Sequence, residues 1–183
     1  MNILALLGLG FLIMGTKKIY DIRQAKDQKE KFFFYDELFK KYGDLENFPW
    51  KWLKAIAKQE SDLGLDKRVI GGQVSGDGLS YGLMQIAEGV GSSQEIAIKG
   101  YGGREKLNDA EYSVKIAAKL ISYLNRKYAG NPDKVFLAYN QGEKNTDAGK
   151  DFTTNYSPDK VSYKEKIKKW LTWIDQKERE YLS

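Results

Sequence analysis

Between residues 108 and 128, Ala110, Val114, Ala117, Ile121, Leu124 and Tyr128 recur at intervals of three and four, with no proline or glycine between them. That spacing lays an apolar stripe along one face of an α-helix. A helix that must bury such a face needs other elements packed on it, so it sets the fold class for the whole chain. Asn108 reads as its cap, with Glu111 three residues on as the second half of a capping pair. Gly130 reads as its end.

The other segments agree with a helical chain. Phe34, Leu38 and Tyr42 predict a helix over 31–42, ended by Gly43. A further helix starts at Pro49 and carries Leu53, Ile56, Ala57 and Glu60 on one face, with Gly64 closing it. Asn131-Pro132 opens another, running to about Asn140. Pro158 opens the last, with Tyr163, Ile167, Trp170, Leu171 and Ile174 on one face. Residues 64–82 are glycine-rich, and Val69-Ile70 with Gln73-Val74 read as a small hairpin. There is no βαβ alternation and no sign of a parallel sheet. The expected fold is mostly α, with one small irregular or β element.

Composition removes whole classes of chemistry. The 183 residues contain no histidine and no cysteine. Ser-His-Asp and Cys-His catalysis are excluded, as are the usual zinc sites and disulfides. Acid–base chemistry must come from Asp, Glu, Tyr or Lys. No metal or organic cofactor is expected. Net charge is +5, a weak pull toward anionic partners, and no nucleic acid is expected.

The N-terminus stands apart. Residues 3–15 carry no charge, and residues 16–31 hold six basic side chains against three acidic ones. Taken from Met1 to Tyr20, with Lys17 and Lys18 snorkelling, the run is long enough for a membrane anchor. A cleaved signal peptide is the rival, but no basic residue precedes the run and no Ala-x-Ala-like site follows it. The expected organisation is an anchor over 1–20, a helical stalk or linker over 21–43, and one domain over 44–183. The basic flank favours a cytoplasmic domain under the positive-inside rule. Gly10-x4-Gly15-Thr16-Lys17 reverses the order that a phosphate loop requires and is set aside.

Three local patterns carry candidate chemistry. Glu60 places a carboxylate on an apolar helix face, where desolvation raises a pKa and keeps a proton available. Ser80-Tyr81-Gly82-Leu83-Met84-Gln85-Ile86 joins a permissive glycine to an amide that both donates and accepts. Ala138-Tyr139-Asn140-Gln141-Gly142 ends a helix with an aromatic and two amides. Each has an ordinary structural alternative: a helix-end carboxylate paired with lysine, a helix start, and a helix C-cap.

Their order and spacing change that balance. Glu60-Ser61, then Gly-Leu-Met-Gln-Ile about twenty residues on, then Ala-Tyr-Asn-x-Gly after a long helix, resembles the lytic transglycosylases of the soluble-lytic-transglycosylase-like branch of the lysozyme superfamily. Tyr163, in Ser162-Tyr163-Lys164-Glu165-Lys166-Ile167, resembles that family's late tyrosine. The resemblance covers roughly Pro49 to Ile174 and implies a lysozyme-like α+β domain. It implies that Glu60 is the catalytic acid and base and that Tyr163 positions it. It further implies that Ser61, Met84, Gln85, Tyr139 and Asn140 line the substrate groove, with Ser80 or Ser75 as the serine serving the site. The implied partner is the glycan strand of peptidoglycan, and the implied location is a bacterial cell envelope or a phage virion membrane. Residue 141 departs from the pattern, being Gln where the family often has Ala or Gly.

Most glycosidases use two carboxylates, and the motifs supply one. That suits a substrate-assisted route, and the resemblance implies cleavage to a 1,6-anhydromuramoyl end. A hydrolysing muramidase of goose-type character would recruit Asp62, Asp66 or Asp77. A non-catalytic glycan-binding or structural virion protein would keep the groove alone. The tryptophans at 50, 52, 170 and 173 read as core or groove wall before they read as sugar platforms.

Overall fold

The computed structural model describes residues 27–66, 80–87, 104–151 and 159–183. The expected anchor over 1–20, the hairpin at 69–74, Ser75, Asp77 and Pro158 lie outside the described residues. Among the described residues, no helix is long and apolar enough to cross a membrane.

Helices α1 (Gln28–Phe33) and α2 (Asp36–Glu46) come first. Both belong to the core: Phe32, Tyr35, Phe39 and Tyr42 are buried in it. The described part of the expected stalk is therefore part of the packed unit, because its aromatic residues fall on one buried face. Gly43 does not end α2, which runs on until Asn47 turns left-handed at φ 57°. Gly43 is instead a point of close approach. A Cβ there would lie 2.6 Å from Trp50 Cβ, so only glycine lets the chain fold back into α3 (Lys51–Ser61).

On α3 the stripe of Leu53, Ile56 and Ala57 is fully buried. A left-handed run of Asp62, Leu63 and Gly64 stops it. The small β element is a two-stranded antiparallel pair, β1 (Ser80–Tyr81) and β2 (Ile86–Ala87), with Ser80 opposite Ala87 and Tyr81 opposite Ile86. Gly-Leu-Met-Gln is thus the turn between two strands rather than a helix start.

A 3₁₀ turn (Arg104–Asn108) leads into α4 (Ala110–Lys127). Asp109, not Asn108, caps α4, accepting the Tyr112 N–H at 2.7 Å. Glu111 leaves the expected capping pair for Lys41 at 2.6 Å and the Tyr42 hydroxyl at 3.1 Å, which ties α2 to α4. Ile116, Ala118 and Leu120 are buried along with Val114, Ala117, Ile121, Leu124 and Tyr128 of the stripe, as in a helix enclosed on nearly all sides. Asn131 caps α5 (Pro132–Gln141) with proline in its first turn, as the sequence indicates. A short α6 (Glu143–Asp147) follows. The last helix, α7 (Tyr163–Leu182), begins at Tyr163.

Helices α3 and α7 run antiparallel. Glu60 meets Tyr163, Gln59 meets Trp170, and Lys51 meets Asp175 and Glu178 at the other end. Trp50, Trp52, Trp170 and Trp173 pack partly buried against the core, in keeping with wall rather than platform.

One core contact is ionic. Lys54 and Asp36 are both buried, with Nζ and Oδ1 2.6 Å apart. Phe32 of α1 covers the ammonium, its ring centroid 3.4 Å from Nζ. Neither Oδ1 nor Nζ has a further hydrogen-bond partner among the described residues.

Candidate active site

Glu60 sits in the last turn of α3, half-buried where the α3 stripe meets α7. The Tyr163 hydroxyl donates to its Oε1 at 2.5 Å. Tyr163 and Tyr139 are buried, at 2% and 6% exposure. Burial first, and the negative field of Glu60 second, push both phenols well above their ordinary range. Both are therefore protonated donors at any working pH. Tyr163 spends its proton on Glu60, and Tyr139 donates to the Met84 carbonyl at 2.7 Å.

The Gly82–Gln85 turn hangs from three helices. Ser61 of α3 donates to the Leu83 carbonyl at 2.7 Å and accepts the Gly64 N–H at 3.1 Å. Ser113 of α4 accepts the Met84 N–H at 3.1 Å. Tyr139 of α5 holds the Met84 carbonyl. Gly82 has φ 75°, and a Cβ there would lie 1.8 Å from the Leu107 carbonyl oxygen. Gln85 is itself left-handed at φ 46°, and its Nε2 donates back to the Gly82 carbonyl at 2.9 Å. The turn ends on a half-buried amide with capacity left for a ligand.

Two expected substrate contacts need correcting. Ser61 is buried, and its hydroxyl is committed to the backbone around it. The Met84 side chain is fully buried in the core, so its backbone, not its thioether, serves the turn. Ser80 is half-buried in β1, and Asn140 is exposed at the end of α5, next to Tyr139. Ser113 escaped the sequence reading. Its signal was a small polar residue beside the apolar stripe of α4, which a buried backbone group elsewhere has to match.

Of the carboxylates that hydrolysis would recruit, Asp62 is the left-handed cap of α3 and is paired with Lys58. Asp66 is half-buried, with its N–H bonded to the Ser61 carbonyl. Among the described residues, no cluster of three or more acidic side chains could hold a metal ion.

A mostly helical fold with one small two-stranded sheet, and a helix-end glutamate held by a buried tyrosine, is of the lysozyme-like class. Residues 37–162 match the Transglycosylase SLT domain, and the chain belongs to that family. The soluble lytic murein transglycosylase of Escherichia coli K12 is 30% identical over 111 residues. That match takes in 59% of this chain but only 16% of the relative's length. The structure is similar to that of a lytic transglycosylase Slt from Pseudomonas aeruginosa, with TM-score 0.63 and 18% identity over 86% of this chain and 28% of that one. It is also similar to the 70 kDa soluble lytic transglycosylase of Escherichia coli, with TM-score 0.60 and 23% identity over 81% and 25%.

Proposed function

We propose that this chain is a peptidoglycan lytic transglycosylase with Glu60 as its single acid and base. The observation that carries the reading is the bond from the buried Tyr163 phenol to Glu60 Oε1. It fixes the orientation of the carboxylate at the end of α3, which a group that gives and retakes one proton requires.

Protonated Glu60 gives its proton to the glycosidic oxygen between N-acetylmuramic acid and N-acetylglucosamine, and the C1–O bond breaks. The 2-acetamido oxygen stabilises the positive C1. Glu60, now a carboxylate, takes the proton of the C6 hydroxyl as that oxygen closes on C1. The products are a 1,6-anhydromuramoyl end and a free 4-hydroxyl, with the proton returned to Glu60 and no water consumed. Gln85 and Asn140 supply amides for the acetamido and hydroxyl groups of the sugars. The engagement of Asp62 with Lys58 supports a one-carboxylate route.

Mass spectrometry of muropeptides released from purified peptidoglycan tests this, with Glu60→Gln alongside. The expected products are lighter than hydrolytic ones by one water and absent with Glu60→Gln. Reducing muramic acid ends would establish a hydrolase instead, and no release by folded protein would leave a glycan-binding role. For location, the apolar run over 1–20 is proposed to hold the domain at a membrane beside the wall, in a cell envelope or a virion. Flotation of the full chain with lipid vesicles, against a chain starting at residue 27, checks that proposal.

A further inference from the structure

The segment that leaves α5 is tied at both ends to residues of the site. Gly142, at φ 80°, turns the chain away from α5 while its N–H stays on the Ala138 carbonyl. Gln141 then reaches across the segment. Its Nε2 donates to the Lys150 carbonyl at 2.6 Å and lies 3.3 Å from Thr146 Oγ1, and its own carbonyl accepts Asn145 Nδ2 at 2.8 Å. An alanine or glycine at 141 could make neither side-chain bond. At the far end, Asp151 Oδ2 accepts the Ser162 hydroxyl at 2.5 Å, and Ser162 is the residue before Tyr163. Lys127 of α4 also holds Glu143 at 2.6 Å and Asp147 at 2.8 Å.

We propose that Gln141 is a positioning residue for the substrate groove. By closing residues 142–151 on themselves it holds Asn140 at the groove's rim. Through Asp151 and Ser162 it also steadies the first turn of α7, which carries Tyr163. It touches no reacting atom. The inference rests on the transglycosylase reading above.

The test uses the full chain, with Gln141→Ala, Gln141→Glu and Ser162→Ala. Gln141→Glu keeps the shape but turns a carboxylate oxygen toward the Lys150 carbonyl. Muropeptide release from soluble glycan strands gives kcat and KM, and amide exchange reads the segment directly. The Gln141 variants are expected to lose about five- to thirtyfold in kcat/KM, the worth of one or two hydrogen bonds. KM should carry most of that loss, with faster exchange across 143–150. In Ser162→Ala the loss should fall on kcat instead. Unchanged exchange, or opened exchange with kcat/KM within about twofold of wild type, overturns the proposal and leaves the transglycosylase reading standing. A wild-type chain that releases nothing overturns that reading and takes this proposal with it.

Discussion

Replacing Lys54 by methionine keeps the length of the side chain and removes its charge, leaving the Asp36 carboxylate buried without its cation. Breaking one side of a buried pair costs about 3–5 kcal/mol. For a chain of this size that lowers the thermal midpoint by roughly 6–20 °C, at about 2–4 °C per kcal/mol. The intact pair is not itself a large source of stability. Burial raises the Asp36 pKa and lowers that of Lys54, in each case outweighing the partner's attraction. An acid whose folded pKa is raised loses stability as pH climbs from its ordinary 3.8 to the folded value. A base whose folded pKa is lowered gains stability as pH climbs from the folded value toward 10.5. Replacing both, as Asp36→Leu with Lys54→Met, is therefore expected to be neutral or stabilising by about 1–4 kcal/mol. The Lys54→Met defect should shrink as pH falls and Asp36 takes up a proton. Circular dichroism melts of wild type, both single variants and the double variant at pH 4.5 and 7.5 decide it. A double variant as unstable as the sum of the singles would refute the claim that desolvation dominates this pair.

Three further outcomes follow from the geometry. Tyr163→Phe removes a bond to a charged group worth about 1.5–3 kcal/mol, so the thermal midpoint should fall by about 3–12 °C and kcat for muropeptide release roughly ten- to a hundredfold. Ser113→Ala strands the buried Met84 N–H, which should cost about 1–3 kcal/mol of stability in a denaturant titration, along with part of the activity. Gly82→Ala forces a Cβ against the Leu107 carbonyl oxygen from a left-handed backbone. That is expected to cost about 2–4 kcal/mol and to abolish release, with near-ultraviolet circular dichroism following the rearranged turn.

What was legible in the sequence is what periodicity and punctuation encode. The α4 stripe, the Asn131-Pro132 start of α5 and the placing of Glu60 on the buried face of α3 all follow from local rules, and the order of three short motifs identified the family. What was not legible depends on partners distant in the chain. Gly43 looked like a helix end because its contact, Trp50, is visible only once α2 and α3 are folded together. Glu111 looked like half of a cap because Lys41 and Tyr42, which claim it, belong to another helix. Ser61 and Met84 were assigned to the substrate because adjacency to a motif says nothing about which way a side chain faces. The 21–43 segment was set apart from the domain by its polar residues, although the aromatic residues at 32–42 were the better guide.

The contact between Glu60 and Tyr163 joins residues 103 positions apart. During synthesis the acid emerges early, while the phenol that grips it is still to be translated. A chain interrupted anywhere in that interval carries the glutamate without its partner. The contact is thus complete only once the ribosome has passed residue 163.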